Sequence, residues 1–319
     1  MKARSYPGIT EVAAAVILRP DGAFLLGQRA PDTFYPGYWE FPGGKVEAGE
    51  TSRQALVREL HEELEIEVLH ATPWIMREHI YEHAHVRLHF FRVTAWRGEL
   101  KDHVHSALSW QRADALNVAP MLPANAPVLA ALRLPDFYAI THAAEIGVEQ
   151  QLAALTAALH QGLRLVQLRE PALPQEARAS FVKAAARLCR DHGAQCLVNG
   201  DEELVRAAAA DGLHLPATQL LRTTRRPDFP LVAASCHTRA ELEHAAGLGL
   251  DFAVLGPVNP TASHPDSVGI GWERFAHLAA DLPLPVFALG GMQQNDADAA
   301  KLAGAHGIAA IRAAWNYCS

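Results

Sequence analysis

Downstream of residue 136 the chain does one thing eight times: a short apolar run is followed, in most cases, by an alanine-rich stretch of helical composition. The runs are Phe137 to Thr141, Leu163 to Leu168, Cys196 to Asn199, Gly212 to Leu215, Leu231 to Ser235, Phe252 to Gly256, Val286 to Gly290 and Gly307 to Ile311. Runs this short and apolar read as strands buried on both faces, and their alternation with helices reads as a parallel sheet. Eight such units predict a (β/α)8 barrel. The span of about 180 residues is short against the roughly 200–250 usual for that fold, so the loops must be lean. A doubly wound open sheet has the same periodicity, which by itself does not separate the two.

A second constraint lies upstream, in Gly43 to Val68, GGKVEAGETSRQALVRELHEELEIEV. Thr51 and Gln54 form a capping-box pattern that opens a helix directly after a glycine-containing loop. With Thr51 to Leu64 helical, Glu59, Glu62 and Glu63 stand at i, i+3 and i+4 on one face. Leu56, Val57, Leu60 and Leu64 occupy another arc that can bury against a core. Crowded carboxylates repel one another unless a cation sits among them, and hard divalent ions take a few carboxylates together with substrate phosphates. Phe41-Pro42-Gly43-Gly44 lets backbone groups approach a ligand closely. A solvated acidic face is the plainer reading of such a charge run. The capping box and glycine loop shift the balance toward a metal site for a phosphorylated substrate.

On these residues the segment resembles the Nudix box, in which G, five residues, E and seven residues precede REUxEExGU, with U aliphatic. Gly44, Glu50, Arg58, Glu59, Leu60, Glu62, Glu63 and Ile66 match in order. Glu65 stands where the pattern has glycine, at a helix end that favours a left-handed residue. That departure strains the turn and removes no ligand. The resemblance implies that Glu59, Glu62 and Glu63, with the Gly43 carbonyl, bind Mg²⁺, with Mn²⁺ as an alternative, and that Arg58 holds the carboxylates in place. It implies attack of water on a phosphorus of a nucleoside diphosphate derivative, with Glu62 or Glu63 as base. The related enzymes draw a further carboxylate from a later loop, where Leu100 to Ser106 offers Asp102, His103 and His105.

The flanking segment LLGQRAPDTFYPGYWEFPGGKVEAGE resembles the MutT group, which hydrolyses oxidised purine nucleoside triphosphates. That likeness implies phosphate contact by Arg29 and places Glu40 among the substrate-binding residues. Pro123-Ala-Asn-Ala-Pro127 is similar to the group's PANEP segment, whose asparagine reads the purine edge with an amide donor and acceptor. Asn125 is the matching residue, a simple turn being the other use of an asparagine between prolines. The implied reaction is conversion of 8-oxo-dGTP to 8-oxo-dGMP and pyrophosphate.

In the second half, Val166-Gln-Leu-Arg-Glu170, Gly212-Leu-His-Leu215, Ala234-Ser-Cys-His-Thr238, Leu255-Gly-Pro-Val-Asn-Pro-Thr261 and Pro285-Val-Phe-Ala-Leu-Gly-Gly291 resemble, in order, thiamine phosphate synthase and its relative TenI, a thiazole tautomerase. The likeness favours the closed barrel and implies ligand roles for Arg169, Asn199, His237, Thr261, Gly290 and Gly291, with glycine amides near phosphate after strands 7 and 8. It also has gaps. Pro171 replaces the lysine of QLREK, the acidic pair becomes Asn199-Gly200-Asp201, the Mg²⁺-aspartate motif reads His214-Leu-Pro-Ala-Thr-Gln219, and the pyrophosphate lysine of PTxTK is His264. A pyrophosphate-leaving step needs metal and cation to absorb its charge, so pyrimidine transfer is not expected. Three readings of the barrel stay open: a tautomerase-like enzyme with His237 as acid/base, a binder of a phosphorylated thiamine precursor, and a scaffold setting oligomeric state. The fusion adds an alternative for the first half, hydrolysis of a thiamine-pathway diphosphate.

The 319 residues are enough for two cores. The proline-rich stretch from Pro120 to Pro135 places the boundary, giving a Nudix domain at 1–133, an α/β/α sandwich with a mixed sheet, and the barrel at 134–319. Val12 to Leu18 reads as a buried strand and no apolar run is long enough for a bilayer, so no membrane role is expected. Four cysteines without metal spacing fit a reducing cytoplasm. A net charge of −7 argues against nucleic acid as a partner and leaves a small nucleotide as the expected substrate.

Overall fold

The computed structural model describes residues 8–260 and 268–315; Thr261 and His264 lie outside the described residues. The chain divides into two compact units, Met1–Arg133 with Ala280–Pro283, and Leu134–Ala279 with Leu284–Ser319.

The first unit runs β1 (Ile9–Ile17), β2 (Phe24–Gln28), β3 (Trp39–Glu40), β4 (Gly43–Lys45), α1 (Ser52–Leu64), β5 (Glu67–Ile80), β6 (His85–Arg97), β7 (Ala107–Gln111) and α2 (Ala126–Ala131). Strand order is β4-β1-β6-β5 in one sheet and β3-β2-β7 in the other. The first sheet is mixed, with β1 parallel to β6 and antiparallel to β4. The period of two along β1 makes the layers. Ala13, Ala15 and Ile17 pack with Leu56, Leu60 and Leu64 of α1, while Ala14 and Val16 pack with Val128 and Leu129 of α2.

Thr51 caps α1 through its side chain, which accepts from the Gln54 N–H, and the Gln54 side chain returns to Thr51. Leu56, Leu60 and Leu64 are wholly buried, each worth roughly 1.5–3 kcal/mol. Val57 is not part of that stripe and stays 38% exposed, because one residue along a helix turns the side chain about 100° away from Leu56.

The second unit contains β8 (Phe137–Ile140), α3 (Ala143–Ile146), α4 (Val148–His160), β9 (Leu165–Leu168), α5 (Gln175–Asp191), β10 (Gln195–Asn199), α6 (Glu202–Ala208), β11 (Gly212–Leu215), α7 (Ala217–Leu220), β12 (Leu231–Cys236), α8 (Arg239–Gly247), β13 (Phe252–Leu255), α9 (Gly271–Ala279), β14 (Val286–Leu289), α10 (Ala297–Leu302) and β15 (Gly307–Ala310). The eight strands form a closed parallel barrel. Pairing of β15 with β8 removes the doubly wound alternative, since only closure brings first and last strands together. Tyr138, Phe252 and Phe287 fill the interior, with ring centroids 5.1 to 5.9 Å apart. Among the described residues no helix is long and apolar enough to cross a membrane.

Candidate active site

Arg58, in the middle of α1, has carboxylates on several sides. Its Nε and Nη2 donate to the two oxygens of Glu50 at 2.8 and 3.0 Å, and Nη1 donates to Glu59 at 3.0 Å and Glu62 at 3.3 Å. Nη2 also reaches the Lys45 carbonyl at 3.0 Å. The hydrogen bonds from Arg58, and then the Glu47 N–H, hold the Glu50 carboxyl down at about 2. Hydrogen bonds to Glu50 first, and then to Glu59, raise the proton affinity of Arg58, so the guanidinium stays charged.

Glu63 takes a different partner. Its Oε2 accepts the Gly43 N–H at 3.0 Å. Gly43 lies at φ 138, and a Cβ there would stand 2.1 Å from the Ala13 carbonyl oxygen across the β1–β4 pairing. At Gly44 a Cβ would stand 2.3 Å from the Glu59 carboxylate. The first glycine therefore seats β4 on β1, and the second leaves the space that Glu59 fills. Burial pushes the Glu63 carboxyl up to about 8, against the Gly43 N–H and with Glu59, Glu40 and Asp102 adding repulsion. Burial also raises Glu40, opposed by Arg29 and His105.

These contacts test the residues against a divalent ion. Among the described residues, no three acidic or histidine groups form a ready-made cage. Glu59 and Glu62 are drawn toward Arg58, and Glu63 sits among like charges. That incomplete oxygen set fits Mg²⁺, which commonly takes one or two carboxylates and completes its shell with waters and substrate phosphates.

The segment after β6 closes one side. The Lys101 and His103 N–H groups donate to the Leu64 and Glu63 carbonyls at 3.0 and 3.1 Å. Glu65, left-handed at φ 53, receives Lys101 Nζ at 2.8 Å and His103 Nε2 at 2.6 Å. The His105 ring lies 3.2 Å from Asp102 Oδ1 with only 3% of its side chain exposed. On the other side Arg29 is paired with Glu40, Nη1 meeting both oxygens at 2.7 and 2.6 Å, and its Nε reaches the Phe34 carbonyl. The arginine expected on phosphate is thus held by the glutamate expected on substrate.

Asn125 ends a 3-10 turn at Pro123–Asn125 and precedes α2 without making a side-chain cap bond. It is 2% exposed, and its Nδ2 has no hydrogen-bond partner. A buried amide left so costs about 1–3 kcal/mol. Hydrogen bonds between Trp39 and both Pro120 and Leu122 dock this segment beside the strand that carries Glu40.

In the barrel, parallel strands bring Arg169, Asn199, His237, Gly290 and Gly291 to the C-terminal ends of their strands. Asn199 Nδ2 donates to Gln167 at 3.2 Å and Gln167 Nε2 to the Tyr138 hydroxyl at 3.3 Å. That hydroxyl lies 3.2 Å from His214 Nδ1, and His214 Nε2 lies 2.8 Å from Ser235 Oγ. Burial, then the Arg169 charge, pushes His214 down to about 3, so the chain runs through a neutral ring. His237 Nδ1 lies 2.7 Å from the Gly256 carbonyl, which only accepts, so Nδ1 carries the proton. The Arg169 N–H is held by Thr141 Oγ1 at 2.9 Å. Asp201 caps α6 and pairs with Arg178 at 2.8 Å. A Cβ on Gly290 would meet Pro257 at 2.6 Å and one on Gly291 would meet Asn259 at 2.9 Å, so both glycines have a packing role.

Residues 9–132 match the NUDIX domain family and residues 137–314 match the family described as thiamine monophosphate synthase. A CTP pyrophosphohydrolase of Escherichia coli is 42% identical over 127 residues, 38% of this chain and 89% of that protein. A Geobacter sulfurreducens protein provisionally named thiamine-phosphate synthase is 37% identical over 189 residues, 56% of this chain and 85% of that protein. A thiamine-phosphate synthase of Azorhizobium caulinodans is 34% identical over 168 residues, 51% and 78% of the two chains. The chain belongs to both families. The Nudix part is similar to pyrophosphohydrolases, and Nudix hydrolases generally use a divalent metal such as Mg²⁺.

The barrel motifs contain Gln167, His214 and Ser235, and an apolar run contains Tyr138, but the sequence alone singles out none of the four. The signal was present: each is a polar or hydroxyl-bearing residue inside an apolar strand, as in Leu165-Val-Gln-Leu168 and Gly212-Leu-His-Leu215. Such a residue, once buried, must find a partner.

Proposed function

We propose that the Nudix part hydrolyses nucleoside triphosphates to the monophosphate and pyrophosphate, breaking the anhydride between α- and β-phosphates. Glu59, Glu62 and Glu63, with the Gly43 carbonyl, would hold Mg²⁺, which when bound neutralises phosphate oxygens and lowers the pKa of water. Arg58 is the positioning residue, tying Glu59 and Glu62 to Glu50. Arg29 and Glu40 bind substrate from the opposite strand pair, and Asn125 offers its free N–H to an acceptor on the base. The unpaired Nδ2 of Asn125, in a segment docked beside the strand that carries Glu40, is the observation that carries this reading.

The preferred base is 8-oxoguanine, supported by the MutT-like segment around Glu40 and by Asn125. CTP is the second reading, favoured by the name of the E. coli relative. Initial rates with Mg²⁺ on 8-oxo-dGTP, dGTP, CTP, ADP-ribose and thiamine diphosphate, scoring pyrophosphate against phosphate, test both. Preference for thiamine diphosphate would make the fusion the better guide and refute the nucleotide reading.

The barrel, in this proposal, binds a ligand at Asn199, which the buried Gln167–Tyr138–His214 chain holds in place, and does not transfer a pyrimidine. Pro171 stands at the lysine position and Asp201 is engaged by Arg178. The names of the barrel relatives favour synthase activity instead. Incubation of the full chain with a pyrimidine diphosphate and a thiazole phosphate decides, and formation of thiamine phosphate would overturn the proposal.

A further inference from the structure

A cluster of rings at the substrate end of the Nudix part has no role in what precedes. Segment 29–38 is tied back on itself by bonds from Arg29 N–H to Tyr38, Gly37 N–H to Arg29, and Thr33 N–H to Ala30. The tethered loop holds Tyr35 at φ 57, left-handed backbone that a bulky side chain rarely takes. Its ring lies 5.3 Å from Tyr38, 5.4 Å from Tyr81 and 5.8 Å from His83. His83, in the β5–β6 turn, lies flat on Phe34 with centroids 4.0 Å apart and planes 6° apart.

Phe34 is 63% exposed, so this stack is not core packing. Phe34, Tyr35, Glu82 and His83 line an open groove of about 550 Å³. The ring cluster borders the site, because Tyr81 meets the backbone of Ala124 and lies within electrostatic reach of Glu40 and Arg29.

We propose that Phe34, Tyr35 and His83 form a stacking platform for the nucleobase. Resting on the nucleoside triphosphate reading above, the inference is that ring faces supply most of the base affinity, while Asn125 selects among bases already bound. Every base has a π-face, so stacking tolerates pyrimidines and purines alike. Losing the base altogether should therefore cost more than exchanging one base for another.

The test is equilibrium binding of α,β-methylene CTP, α,β-methylene dGTP and inorganic triphosphate, each with Mg²⁺, to the full-length wild type and to Phe34→Ala, His83→Ala and Phe34→Trp. The wild type should bind both nucleotide analogues at least about tenfold more tightly than inorganic triphosphate. The alanine variants should lose about 10- to 100-fold for both nucleotides and nothing for inorganic triphosphate, and Phe34→Trp should restore binding. Equal affinity of the wild type for nucleotide and inorganic triphosphate overturns the platform. So does a parallel loss for inorganic triphosphate, which would mark a structural role. Hydrolysis rates measured alongside keep the two claims apart: an inactive wild type that binds the analogues sinks the hydrolase reading and leaves the platform standing.

Discussion

Gly44→Ala is the most economical test of the glutamate geometry. The added Cβ would fall 2.3 Å from the Glu59 carboxylate, whereas comfortable carbon contacts lie at about 3.5–4.0 Å. The carboxylate must retreat by roughly 1–1.5 Å, which it can do because it is the far end of a flexible side chain. Stability should hence change by less than about 1 kcal/mol, whereas a displacement of about 1 Å at a reacting group costs about 10²-fold in rate. Gly43→Ala inverts the pattern. Its Cβ meets the backbone oxygen of Ala13 at 2.1 Å, and φ 138 suits glycine alone, so the β1–β4 pairing must open. That variant should lose several kcal/mol, lowering Tm by roughly 5–15 °C. Steady-state kinetics with excess Mg²⁺ beside calorimetry separates the two. A Gly44→Ala protein with wild-type kcat, or one that unfolds like Gly43→Ala, would refute the placement of Glu59.

Glu59→Gln should cost several orders of magnitude in turnover with Tm nearly unchanged, and an unaffected rate would end the metal-site reading. Arg58→Lys keeps the charge but loses the paired bonds to Glu50, so kcat should drop about 10- to 100-fold in the same assay. Asn125→Ala removes an unpaired buried donor, so Tm should hold or rise while kcat/KM for nucleotides falls about tenfold or more. Glu63, raised to about 8 in the folded chain, contributes stability that is fully present below its unfolded value near 4.3 and is lost as pH climbs through 8. Mg²⁺ should offset that loss, so the gap in Tm between Mg²⁺ and EDTA should widen from about pH 6 to about pH 9; a constant gap would contradict the assignment.

Much of this was legible because local spacing encodes it. The Thr51–Gln54 capping box, the glutamate face of α1 and the eight apolar runs depend on neighbours a few residues apart, and the structure repeats them. What stayed hidden depends on distant pairing. Arg29 meets Glu40 because β2 and β3 pair antiparallel, and Phe34 meets His83 across 48 intervening residues. The strand-buried Gln167 and His214 read as apolar filler until closure faces them inward. Val57 was assigned to the buried arc because hydrophobicity alone does not register how narrow the stripe is.

Glu65, the departure from the Nudix pattern, has a consequence for exchangeability. Glycine there would relieve the left-handed backbone by roughly 1 kcal/mol, yet it would remove the side-chain bonds of Lys101 and His103 to the end of α1 and leave their backbone bonds to Leu64 and Glu63. Those residues flank Asp102, which faces Glu63. Reversion to the commoner residue would therefore trade local backbone strain for a looser splint, with the acidic loop held to its helix by two backbone bonds where four bonds now hold it.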